Sequence, residues 1–122
     1  MATITGTDNL YYASHRLRSW AALTTTNADG NPISFAGNGM GSVSVQVTGT
    51  WGAGGALVIE GSNDGVTYFT LTDLANAALS LSANALKTLS DAPAYIRPRV
   101  TAGDGTTNLT VVIAIQKASF AI

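Results

Sequence analysis

His15 is the only histidine and there is no cysteine, so nucleophilic catalysis would have to pair a hydroxyl with that single base. Ser14 and Ser19 are near it in sequence, but sequence proximity does not put a hydroxyl within reach of an imidazole, and His15 reads as a surface or interface residue. The lack of cysteine also removes disulfides and thiolate-ligated zinc or iron–sulfur sites. Three of the seven acidic residues, Asp29, Asp64 and Asp104, each precede glycine, where an Asx side chain closes its own turn. A hard cation wants about six to eight oxygens from clustered acids, and the chain has no Asp-x-Asp-x-Asp run. Gly52-Ala53-Gly54-Gly55 lacks the Lys-Ser/Thr ending of a phosphate cradle and reads as a flexible hairpin connection. The chain is therefore expected to be no enzyme and to need neither metal nor cofactor.

Recognition is the chemistry that remains. Tyr11, Tyr12, His15, Arg16, Arg18 and Trp20 include most of the residue types enriched at binding hot spots, in a segment short of hydrophobic periodicity. Two readings stay open for them: an arm that docks on a neighbouring subunit, or a strand packed on its own domain. Tyr95, Arg97 and Arg99 alternate along one strand face and suit either a solvated edge or a protein interface. Trp51, Tyr68 and Phe69 are the rings that a carbohydrate-binding platform would expose, although burial at strand ends is the commoner fate of large rings.

The elements that must position these residues repeat with period two. Val43, Val45 and Val47 share one strand face, and Leu109, Val111, Ile113 and Ile115 share another. Ala56–Glu60 and Val66–Thr72 flank Asn63-Asp64-Gly65 and read as a hairpin. Ala78–Ser82 alternates again, with Leu86, Thr88 and Leu89 on a partner strand beyond Asn84. A helix over Leu74–Leu89 is disfavoured by its Ser and Asn content. Pro98 cannot donate to a ladder, which sends Tyr95–Val100 to a sheet edge or a bulge. Residues 1–41 read as an N-terminal arm or first strand followed by a loop, with a short helix around Asn9–Ala22 as a third form. Gly37–Gly41 is the hinge into a body at 42–122. Short strands with turns between them and no long helices predict an all-β, antiparallel β-sandwich of jelly-roll type.

Composition narrows the setting. At 122 residues the chain is one domain. It is 46% hydrophobic but only 11% charged, whereas the surface of a free monomer is commonly about 25–35% charged. That deficit points to surface covered by partners. Six basic against seven acidic residues give no footprint for nucleic acid and no polybasic membrane patch. No apolar run approaches the ~20 residues that span a bilayer, and Met1–Asp8 lacks the pattern of a signal peptide.

Three stretches carry a resemblance: Val45-Gln46-Val47-Thr48-Gly49-Thr50-Trp51-Gly52, then Leu57-Val58-Ile59-Glu60-Gly61-Ser62-Asn63-Asp64-Gly65, then Tyr95-Ile96-Arg97-Pro98 followed by a Gly-rich turn and Leu109-Thr110-Val111. Together they resemble small β-sandwich virion structural proteins of tailed bacteriophages, over about the last two-thirds of the chain. The resemblance implies a decoration or cement protein on the outer capsid surface, made in the host cytoplasm, with the major capsid protein and its own copies (homo-dimer or homo-trimer) as partners. A tail or fibre component is the alternative within that class, and a carbohydrate-binding β-sandwich module is the alternative outside it.

Overall fold

The computed structural model describes residues 3–12, 15–34, 42–91 and 93–116, of which 9–12 and 15 are described by their backbone alone. Its strands are β1 (Thr3–Ile4), β2 (Thr7–Tyr12), β3 (His15–Leu23), β4 (Asp29–Gly30), β5 (Ile33–Ser34), β6 (Ser42–Thr50), β7 (Ala56–Ser62), β8 (Phe69–Thr70), β9 (Ser80–Leu81), β10 (Ala85–Thr88), β11 (Tyr95–Ala102) and β12 (Asn108–Gln116). No helix occurs among the described residues. Two sheets pack face to face as a β-sandwich, as the alternation predicts. A five-stranded sheet runs β10-β6-β12-β3-β2. A seven-stranded sheet runs β1-β4-β11-β7-β8, with β5 beside β11 and β9 beside β7.

The period-two faces meet between the sheets. Val45 lies opposite Ile113 and Val47 opposite Val111. These pack against Leu57 and Ile59 of β7 and Ile96 and Val100 of β11 in one buried cluster. The opposite face of each strand is consequently directed outward.

Of the three forms open to the N-terminal segment, the docked strand is the one that forms: β3 pairs with β12 from Gln116↔His15 to Leu109↔Leu23. The register shifts between Leu109 and Val111, and Ala22 takes a positive φ of 58°. This extra residue lets both Trp20 and Leu23, three positions apart, enter the core. Trp20, Leu23, Ala28 and Ile33 share their cluster with residues of the 42–122 body. The expected Gly37–Gly41 hinge lies outside the described residues.

Four local expectations are corrected. Tyr95–Val100 is no edge: β11 lies between β7 and the pair β4 and β5. The Val100 amide donates to Ala28 O at 2.8 Å, on the side away from β7, so position 98 of the same parity would also direct its amide away from β7. That side is where the chain leaves β4 and re-enters as β5, and proline costs no ladder bond there. Gly52–Gly55 joins β6 to β7 across the two sheets and is no hairpin connection. Gly52 sits at φ +71° against the Asp104 carboxylate, which accepts the Ala53 amide at 2.8 Å and ties this arch to the β11–β12 turn. The Ala78–Ser82 and Leu86–Leu89 runs do form strands, but β9 pairs with β7 and β10 with β6, so the chain changes sheets between them. Asp29 is a strand residue opposite Thr3 and Arg99, not a turn residue, whereas Asp64 and Asp104 do close turns.

Candidate functional site

Ile96 and Val100 are in the core, so Tyr95, Arg97 and Arg99 project from the outer face of the seven-stranded sheet. Register places Arg97 opposite Glu60 of β7. Arg97 Nε donates to Glu60 Oε1 at 2.7 Å. Arg99 donates through Nε to the same oxygen at 3.0 Å and through Nη2 to Oε2 at 3.3 Å. Glu60 is only 3% exposed although it points out of the sandwich, because the guanidinium groups cover it. The Tyr68 ring completes the cover, with Arg97 Cζ 3.8 Å from its centroid. Burial pushes the Tyr68 phenol above its ordinary pKa, and the Arg97 charge opposes that shift. Asp29, opposite Arg99 on β4, has a buried Oδ1 that accepts no hydrogen bond from the described residues.

A carboxylate removed from water is tolerated when its oxygens are hydrogen-bonded and its charge is balanced. Glu60 meets both conditions, and with Asp29 opposite Arg99 the face carries two acids against the two arginines. The arrangement brings two arginines of β11 together with Tyr68, from the loop between β7 and β8, over Glu60 of β7.

The N-terminal residues form a separate cluster that turns inward. Trp20 is fully buried, and its indole N–H is shared between Asn31 O at 3.0 Å and Asn31 Oδ1 at 2.8 Å. Asn31 Oδ1 also accepts the Gly6 amide at 2.8 Å. As an interface residue Trp20 is therefore a correction: its pairing opposite the core-facing Val111 puts it on the core side. Arg18 donates twice to Asp8, and its Nη1 donates to Pro32 O at 2.9 Å. Arg16 Nη1 donates to Ser34 O at 3.1 Å, and Nη2 lies 3.6 Å from Asp8 Oδ2. These arginines fasten the β2–β3 hairpin to the segment leading into β5, and the Arg18 hydrogen bond holds the Asp8 carboxyl below its ordinary pKa. The backbones of Tyr11, Tyr12 and His15 lie on β2 and β3, and their side chains are outside the described residues.

The three rings weighed as a glycan platform have separate fates. Trp51 packs partly on the core and donates to Asn84 Oδ1 at 2.9 Å, Tyr68 covers Arg97, and Phe69 is exposed. Phe69 borders an open groove of about 690 Å³, which Asn63, Asp64, Thr72 and Asp91 also line. Asp64 accepts the Val66 and Thr67 amides at 2.8 Å each and the Ser62 hydroxyl at 2.7 Å. The backbone amides hold its pKa down to about 2.

Glu60 is the member of the site that sequence reasoning missed, and Tyr68, weighed there as a glycan-platform ring, was not placed beside the arginines. A single acid ending the apolar run Leu57-Val58-Ile59, in a chain with two arginines alternating on another strand, was the available signal for a cross-strand pair. Comparison with protein-family models, curated proteins and solved structures finds no match.

Proposed function

We propose that this chain is a non-enzymatic structural protein of a tailed-bacteriophage virion, binding the assembled head from outside as a homo-oligomeric decoration or cement protein. The observation that carries the reading is the Arg97–Glu60–Arg99 cluster under Tyr68. Arg and Tyr are enriched at protein interfaces, and here they are already oriented before any partner arrives, which lowers the ordering cost of docking. The resemblance of the strands around Val45, Leu57 and Tyr95 to small virion sandwiches supplies the setting, with the major capsid protein as partner. The mechanism is linkage: a protein that binds only the assembled shell stabilises it by mass action, and many bridging copies act together.

The test is co-sedimentation of the protein with mature heads that lack it. Saturable binding at a copy number matching a capsid symmetry position, lost in Tyr68→Ala and weakened in Arg97→Lys, is expected. No binding by a folded wild-type protein overturns the reading. The exposed Phe69 beside an open groove favours one second reading, a carbohydrate-binding module, which a glycan array would support through binding that Phe69→Ala abolishes.

A further inference from the structure

The core alternation that directs Val43, Val45, Val47, Ile113 and Ile115 inward leaves the other faces of β6, β12 and β3 outward on the five-stranded sheet. That outer face presents Leu17, Ser44, Gln46, Thr110, Val112 and Ala114. At its rim is Leu86, opposite Gln46 and 68% exposed. No charged side chain among the described residues lies on it. Arg16 and Arg18 pair in register with the core-facing Ile115 and Ile113, Asp8 pairs with Arg18, and Lys87 is opposite the core-facing Val45. The remaining described charges belong to the seven-stranded sheet or to loops and turns. The low charge of the chain thus leaves, among the described residues, a charge-free expanse on one sheet.

We infer that this face is an interface between two copies of the chain, packed sheet on sheet. The strand spacing of ~4.8 Å and rise of ~3.4 Å give the five strands a footprint of about 600 Å² in projection. A standard interface buries about 800 Å² of accessible surface per partner, so the face is of the size a stable dimer needs. A second copy also fits its chemistry. Ser, Thr and Gln side chains both donate and accept, so the face is complementary to itself under a two-fold axis, and no like charges meet. A strongly charged partner would find nothing there to pair with. The inference deepens the homo-oligomer of the proposed reading and rests on it for that assembly alone.

Light scattering on the full chain reads the result as mass. The wild type is expected at twice 12.5 kDa. Val112→Lys, at the centre of the face, is expected to halve that mass. Gln46→Glu is the second variant: its side chain is exposed in the single chain, so a charge there leaves the core untouched, and it too is expected to yield monomer with an unchanged circular dichroism spectrum. A wild type that is monomeric at about 100 μM, well above the ~1 μM typical of a modest dimer, overturns the inference. So does a folded variant that keeps the wild-type mass. If the wild-type monomer still binds heads and Gln46→Glu abolishes that binding, the face belongs to the capsid contact, so the inference falls while the proposed function stands.

Discussion

Glu60 and Arg97 face each other across β7 and β11, with Nε 2.7 Å from Oε1, and the carboxylate is buried on the outward side of its own sheet. The two arginines are unequal supports. Arg97 is held from below by Glu60 and from above by Tyr68, whereas Arg99 makes two bonds to Glu60 with no ring above it. Replacing both arginines by alanine strips Glu60 of both its cations and the cover that keeps water from it, so the carboxylate regains solvent and the expected loss stays below the ~3–5 kcal/mol of a pair broken inside a core. Either single replacement leaves one cation on Glu60 and should cost less than half of the double. Urea denaturation of the three variants and the wild type measures this, and additive single losses would show that Glu60 does not couple them.

Trp20 fills core volume and satisfies Asn31. Trp20→Phe keeps most of the packing but strands Asn31 Oδ1 on one of its two donors, for an expected loss of about 1–3 kcal/mol. Trp20→Ala adds a cavity and should lose about 3–5 kcal/mol. Thermal denaturation ranks the two. Equal stability of Trp20→Ala and wild type would place the indole outside the core.

Acid should weaken the loop anchors before it reaches the core. Asp64 and Asp104 both have pKa values held down to about 2, Asp64 by the Thr67 and Val66 amides, Asp104 by the Thr106 hydroxyl and the Ala53 and Thr106 amides. A carboxyl whose pKa is lower folded than unfolded contributes stability above its unfolded value, near 4, and loses it as pH falls through the folded value. The melting temperature should be flat above pH 5 and fall between pH 4 and 2. In Asp104→Asn the fall should be shallower. A melting temperature that rises on acidification would contradict the assignment.

Gly30 is closed to any side chain. A Cβ there would lie 2.7 Å from Pro98 Cγ and Cδ and 2.9 Å from Trp20 Cδ1, all of them ring atoms that cannot swing aside. Gly30→Ala should therefore destabilise by about 1–3 kcal/mol through overpacking, measurable as a lower urea midpoint at unchanged m. Gly54→Ala is a useful contrast. Nothing crowds its Cβ, and only the positive φ of 69° resists the change.

Docking of β3 on β12 illustrates where sequence reading ended. Side-chain alternation is local, so the inward faces of β6 and β12, the Asx turns at Asp64 and Asp104, and the all-β class were legible from residue order alone. Trp20 was not, because its side follows from the pairing of Arg16, Arg18 and Trp20 with Ile115, Ile113 and Val111, and Leu23 joins it in the core only through a one-residue bulge that leaves little mark in composition. Pro98 misled for a related reason. Its missing amide excludes one neighbouring ladder position, and only the partner strands reveal that β4 and β5 leave that position open. The Arg97–Glu60–Arg99 cluster and the charge-free sheet face lie further still from local pattern. Both are products of register between strands distant in the chain, where long-range pairing decides which side chains share a face.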